Sequence, residues 1–302
     1  MKNQAIEWTG QLFYDNRVRD NINQKVKLHT EVEHPRSSAA SCLNVLGTLG
    51  LPGYSDDLKD FLNYFGLGIE EIIPFPAGAD VKGEIYGDKG NVVFEWIGPK
   101  RSPINEVGGK RGQRRTSVDA YVLAKIQGKI TQLMIEWKFT ETYHGQSYAH
   151  KFGGRKGIER MRRYANVLTS LRKNNDFPFD MEEEGTFGLA DLGYEPFYQL
   201  LRITLLAKTT TPLEIAPGLT VEDYRVIHLS HSENVEMNLL TATHLSFSPG
   251  LKENKDRSLH EVWRETVLAE NERGKFFGGY WDEAIKMVSN SGLRNYLEAR
   301  FC

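Results

Sequence analysis

The stretch Thr116–Thr142, TSVDAYVLAKIQGKITQLMIEWKFTET, constrains this chain more than any other. Two strand-like runs, 118–123 and 132–139, flank Gln127-Gly128-Lys129, which is good turn chemistry, so the pattern predicts a β-hairpin. Residues two apart on a strand share a face. Glu136 and Lys138 therefore point the same way, in one row with Met134 and Thr140, and Asp119 on the antiparallel partner can lie beside them. Two carboxylates and one amine converging in an apolar hairpin suit a divalent cation with a positive side chain next to it. The plainer alternative is a surface ion pair of Lys138 with Asp119 or Glu136, which contributes little.

A chain of 302 residues, 40% hydrophobic and 26% charged, can bury one large core or two smaller ones. It has no run of about 18 apolar residues, and Met1–Trp8 lacks the basic-then-apolar layout of a signal peptide, so a cytoplasmic protein with no membrane partner is expected. Cys42 and Cys302 are the only cysteines, which argues against a disulfide framework or a Cys-rich zinc site. The net charge of −2 hides a division along the chain. Between Lys100 and Lys173 there are 17 Lys and Arg against 5 Asp and Glu, while the remainder holds 21 against 35. A polyanion-binding face on an otherwise acidic protein has this pattern, and so does a solvated basic surface without a partner.

Along the chain, Trp8, Leu12, Phe13 and Val18 have near-helical spacing. A helix over 37–47 capped by Ser37 or Ser38, and another over 56–65 following Ser55, come next. Residues 69–85 stay unassigned, and 91–97 form a strand. The loop 99–115 carries Lys110, Arg111, Arg114 and Arg115 and suits a nucleic-acid backbone, but it lacks the G-x-x-x-x-G-K-[ST] spacing of a nucleotide-hydrolase phosphate loop. Beyond the hairpin, Arg155 and Lys156 belong to a second basic cluster interleaved with Tyr148, Phe152 and Tyr164, suited to phosphate contact and base stacking. A helix over 158–171 and a solvated acidic run at Glu182–Glu184 follow. An apolar helix over 196–208, a buried strand over 224–229 and amphipathic helices over 257–273 and 280–301 complete the order.

With Asp on the second strand and Glu-x-Lys on the third, this order resembles the PD-(D/E)XK nuclease superfamily. Asp119 matches its Asp, although Ser117-Val118 stands where the name-giving Pro belongs, and Glu136-Trp137-Lys138 matches E-x-K. With Arg36-Ser37-Ser38, Asn44 and Tyr198–Arg202, the chain resembles a poorly characterised bacterial branch. The resemblance implies an α/β fold with a restriction-endonuclease-like core, a mixed central β-sheet flanked by helices, and added N- and C-terminal helices. It implies a single domain over 1–302, with the core at about 34–235, a basic and acidic insertion at 140–195, and C-terminal helices at 250–302.

The chemistry so implied is metal-dependent hydrolysis of phosphodiesters in nucleic acid, DNA above all. Asp119 and Glu136 would bind Mg²⁺, with Mn²⁺ able to substitute, and Lys138 would assist the attacking water. Glu95, mid-strand among apolar neighbours, is the candidate upstream acid and third metal ligand; a solvent-facing strand residue explains it equally well. Glu84, Glu70 and Glu71 are weaker choices. Gln199 and Arg202 could reach a nucleotide or the metal-bound water, or could be one hydrogen-bonded Gln and one snorkelling Arg on an apolar helix. Two other functions fit: a non-cleaving nucleic-acid-binding module, and a metal-dependent enzyme acting on a small phosphorylated substrate. A homodimer is among the assemblies left open.

Overall fold

The structure is a computed structural model that describes residues 13–21, 37–76, 84–85, 90–108, 115–141, 150–181, 187–241 and 248–302. Its centre is the expected hairpin, of β4 (Val118–Ile126) and β5 (Lys129–Trp137), in antiparallel register from Ala120 opposite Ile135 to Ile126 opposite Lys129. The loop is only two residues long, and both adopt positive φ, 50° at Gln127 and 74° at Gly128. Such mirror-image turns match the right-handed twist of paired strands, which is why they close tight hairpins. Lys138 lies one residue past the end of β5.

Two short strands share the free edge of β4. β1 (Ile69–Ile73) pairs with its second half and β3 (Val92–Trp96) with its first, both antiparallel, and β2 (Glu84–Ile85) pairs with β3. On the other side β5 takes β8 (Asp223–Ser230) in parallel, and β8 takes β9 (Phe276–Tyr280) in parallel. The sheet is therefore mixed. A parallel neighbour requires a crossover, and the chain between β5 and β8 supplies one with α4 (Gly154–Lys173) and α5 (Phe197–Thr209), followed by the small β6–β7 ribbon (Leu213–Ala216, Leu219–Val221).

Both faces of the sheet are covered, so its central strands are almost continuously apolar. On one face Tyr121, Leu123 and Met134 pack with Leu200, Leu201 and Ile203 of α5 and with Tyr164 of α4. On the other, Val122, Leu133, Ile135 and Trp137 pack with α2 (Ser38–Leu49), α3 (Ser55–Asn63) and the C-terminal helix Ser291–Phe301. A short helix, α1 (Asn16–Asn21), adds to that layer through Val18. Ser37 caps α2 as expected, its side chain accepting from the Ala40 amide at 3.2 Å.

The segment after Ser258 departs from the expected long helix. It runs as a helical turn Leu259–Val262, a wider turn Trp263–Val267 and a tight turn Glu270–Lys275, and then enters β9. Trp263 is buried against Phe179, Phe197 and Phe276, which pin successive turns to different neighbours. The expected helix over 280–301 is also divided, into Trp281–Ala284, a tight turn Ile285–Met287 and Ser291–Phe301 capped by Asn290.

Candidate active site

The end of the hairpin brings Asp119, Glu136 and Lys138 together. One step beyond the pair Ala120–Ile135, the register sets Asp119 against Glu136. The Asp119 carboxylate accepts the Trp137 amide at Oδ2, 2.7 Å. Lys138 Nζ donates to Glu136 Oε1 at 2.5 Å, with the Glu136 side chain 1% exposed and that of Lys138 8%. The other oxygen, Glu136 Oε2, is buried and has no hydrogen-bond partner among the described residues. Burial pushes the Glu136 pKa up to about 8; the Asp119 charge adds to the rise, Lys138 opposes it, and Glu95 raises it further.

The backbone around Lys138 is fixed from several sides. Its amide donates to the Leu229 carbonyl at 2.7 Å and its own carbonyl accepts the Trp281 indole at 2.8 Å. Trp281 stacks on Trp137 at 4.8 Å. The Trp137 indole in turn donates to Ser41 Oγ at 2.8 Å, and Ser38 donates to the Trp137 carbonyl at 3.3 Å, so the first turn of α2 sits beside the site. Behind it, the Cys42 thiol has a pKa raised well above its ordinary value, first by burial and then by the charges of Asp119, Glu95, Glu136 and Glu141.

Glu95 stands level with Asp119 on the neighbouring strand, and at a conformational cost. β3 pairs through Phe94–Ala120 and Trp96–Val118, which leaves Glu95 level with Asp119. Its φ is +54°, in the left-handed region that carries a penalty of about 1–2 kcal/mol for a residue with a Cβ. The neighbouring Trp96 ring is locked by stacking on Tyr121 at 4.2 Å. Glu95 is half-buried rather than solvent-facing. Glu70 and Glu71 are on β1 at the far end of β4, where Glu70 accepts the Gly128 amide and Glu71 pairs with Lys125, while the side chain of Glu84 lies outside the described residues.

The remaining candidates divide. Lys110, Arg111 and Arg114 lie outside the described residues. Arg115 is buried, its guanidinium donating to the carbonyls of Ile97, Lys100, Gly108 and Pro99, so it holds the loop after β3 in shape. Arg155 and Lys156 are exposed on the first turn of α4. On α5 the Gln199 backbone N–H donates to the Glu195 carboxylate at 3.1 Å, while Arg202 Nε donates to Thr116 Oγ1 at 2.9 Å and lies 3.7 Å from Glu106.

Sequence reasoning missed the acid beneath this network. Glu106 takes the Thr116 amide at 2.5 Å, the Thr116 hydroxyl at 2.8 Å and the Tyr164 hydroxyl at 2.9 Å. Only its place in the basic loop could have hinted at this. Near the site, Glu141 accepts the Phe139 amide at 2.6 Å, and His228 lies opposite Glu136 on β8, bonded to His260 at 2.9 Å. Burial, then His260 and Lys138, depress the His228 pKa, so this ring is neutral.

Residues 7–291 match the family model described as "Restriction Endonuclease associating with ARP". The chain belongs to that family. Its mixed sheet between helical layers is thus a restriction-endonuclease-like α/β fold, and nuclease function and nucleic-acid binding are the activities the family points to. No curated protein and no solved structure matches the chain. Among the described residues, no helix of this restriction endonuclease family member is long and apolar enough to cross a membrane.

The donors of this family member suit one hard cation more than a closed cage. Among the described residues no three His, Cys, Asp or Glu side chains gather as a ready metal-binding group. Mg²⁺ keeps several waters and is commonly held by one or two carboxylates together with substrate phosphate. The unpartnered Glu136 oxygen and the crowding of Asp119 and Glu136 are what such an ion would relieve.

Proposed function

We propose that this protein is a metal-dependent nuclease of the PD-(D/E)XK type, hydrolysing phosphodiester bonds in DNA. The observation that carries the proposal is the buried Glu136 carboxylate, one oxygen on Lys138 and the other without a partner among the described residues, set against Asp119. Asp119 and Glu136 would hold Mg²⁺ or Mn²⁺, with Glu95 as the third acid. When bound, the ion supplies charge neutralisation at the scissile phosphate and a more acidic water.

The protein's own groups account for the other needs of the reaction. Lys138, fixed by its backbone bonds to Leu229 and Trp281, directs its ammonium at the reacting centre, where it orients the attacking water and stabilises charge growing on the phosphate. Glu136 must be ionised to act, and both Lys138 and a bound cation favour that form. The basic loop and α4 are read as the surface that holds the strand. The proposed setting is the cytoplasm, in keeping with two free cysteines.

Purified protein with Mg²⁺ or Mn²⁺ should cleave DNA, and Asp119→Ala or Lys138→Ala should lower the rate by at least about a hundredfold. Single- and double-stranded DNA and RNA, compared in one assay, identify the substrate. Equal cleavage by the variants and the wild type would sink the proposal. DNA binding without cleavage, unchanged in Glu136→Ala, would assign a binding module instead.

A further inference from the structure

A cavity of about 370 Å³ opens between α4, α5 and the loop before β4, apart from the carboxylate group. Five cations line it, Arg115, Lys156, Arg160, Arg163 and Arg202, against the two carboxylates Glu106 and Glu159. Glu106 forms an ion pair with Arg202 at 3.7 Å, and the lining still holds five cations against two acids. Glu106 already accepts from Thr116 and Tyr164, and Glu159 sits on an exposed turn of α4.

Arg160 and Arg202 are also held in place. The Tyr198 ring lies under two guanidinium groups, Arg202 at 5.3 Å and Arg160 at 5.9 Å. Arg160 is further tied by its Nη1 to the Lys151 carbonyl at 2.7 Å. Arg202 uses Nε for Thr116, and neither of its terminal nitrogens makes a hydrogen bond among the described residues. A guanidinium fixed through one nitrogen and offering its other two matches the fork that binds phosphate oxygens. Thr116 is three residues before Asp119, so the two backbones are at most about 11 Å apart.

We infer that this cavity is a phosphate subsite, taking one phosphate group of a nucleic-acid strand beside the phosphate engaged at Asp119 and Glu136. The position beside the reacting bond rests on the nuclease proposal; the phosphate chemistry rests on the cavity alone. A free nucleotide would present the same chemical group, and the experiment separates the two sources.

Binding of a fluorescent oligonucleotide and of AMP is measured in EDTA with Asp119→Ala protein, so that cleavage plays no part. Lys156→Ala/Arg163→Ala should weaken oligonucleotide binding by about tenfold and lower the slope of log affinity against log salt by about one, the value for one phosphate. Arg162→Ala/Lys173→Ala removes the same charge from exposed positions of α4 outside the cavity and should have a much smaller effect. Loss confined to AMP, with oligonucleotide binding intact, assigns the cavity to a free nucleotide and overturns the strand assignment. Equal losses in the two double variants, or no loss in either ligand, overturn the phosphate subsite. Failure of the wild type to cleave DNA would count against the nuclease proposal and leave these binding results standing.

Discussion

Glu136 is where the chemistry of the site becomes measurable without a substrate. In the metal-free fold its carboxyl keeps a proton up to about pH 8, against an ordinary value of 4.5, because burial and Asp119 outweigh Lys138. A group whose pKa is raised on folding stabilises fully below its unfolded value, and that contribution is lost as pH rises through the folded value. Metal-free protein should therefore lose stability between about pH 5 and 8, by up to about 1.4 kcal/mol per pH unit, and Glu136→Gln should flatten the slope. Calorimetric melting across that range tests this. Because a ligand carboxylate must be ionised, added Mg²⁺ should raise the melting temperature more at pH 8.5 than at pH 6. An equal shift at both values would argue against Glu136 as a ligand. Glu95 permits a second test. Its left-handed backbone costs stability that glycine would recover, so Glu95→Gly should melt no lower than wild type while losing most of the Mg²⁺-dependent shift and activity.

At the scale of elements, the hairpin was legible because two signals agreed. Two strand-like runs and a Gln-Gly turn both pointed to it, and the row Met134, Glu136, Lys138 then followed from the two-residue period. Strand β9 shows why other parts were not. Its sequence, FFGGY, places two glycines where a strand normally carries side chains. They are there for close approach: a Cβ at Gly278 would meet the His260 ring at 2.3 Å and one at Gly279 would meet Phe65 at 2.5 Å. Those neighbours come from distant parts of the chain, so nothing local announces the strand. Gly278→Ala should consequently destabilise the protein by about 1–3 kcal/mol, read as a lower denaturation midpoint, because the buried ring must move. Glu106 was hidden for a similar reason. It stands in an irregular basic loop, and only the fold brings Thr116, Tyr164 and Arg202 around it.

Taken as one molecule, the chain returns to its site from the C-terminal side. A restriction-endonuclease-like core over about 34–235 would leave β8 as a sheet edge, yet β9 pairs with β8 from Val226–Phe276 to Ser230–Tyr280. The next residue, Trp281, stacks on Trp137 and bonds the Lys138 carbonyl. The C-terminal helix then packs Leu293, Leu297 and Phe301 into the same core as α2. Ending the chain at residue 248 would thus expose the β8 edge, a template for aggregation, and remove the indole from the Lys138 carbonyl. The shortened protein should show no cooperative melting transition and no cleavage. Trp281→Phe separates the two consequences, since it keeps an aromatic ring beside Trp137 but loses the indole donor. It should fold, melt lower by an amount equivalent to about 1–2 kcal/mol, and lower kcat with little change in KM, because Lys138 is mispositioned while strand binding by the cations of α4 is retained. A Trp281→Phe enzyme with wild-type kcat would show that the C-terminal segment supports the fold without setting the position of the lysine.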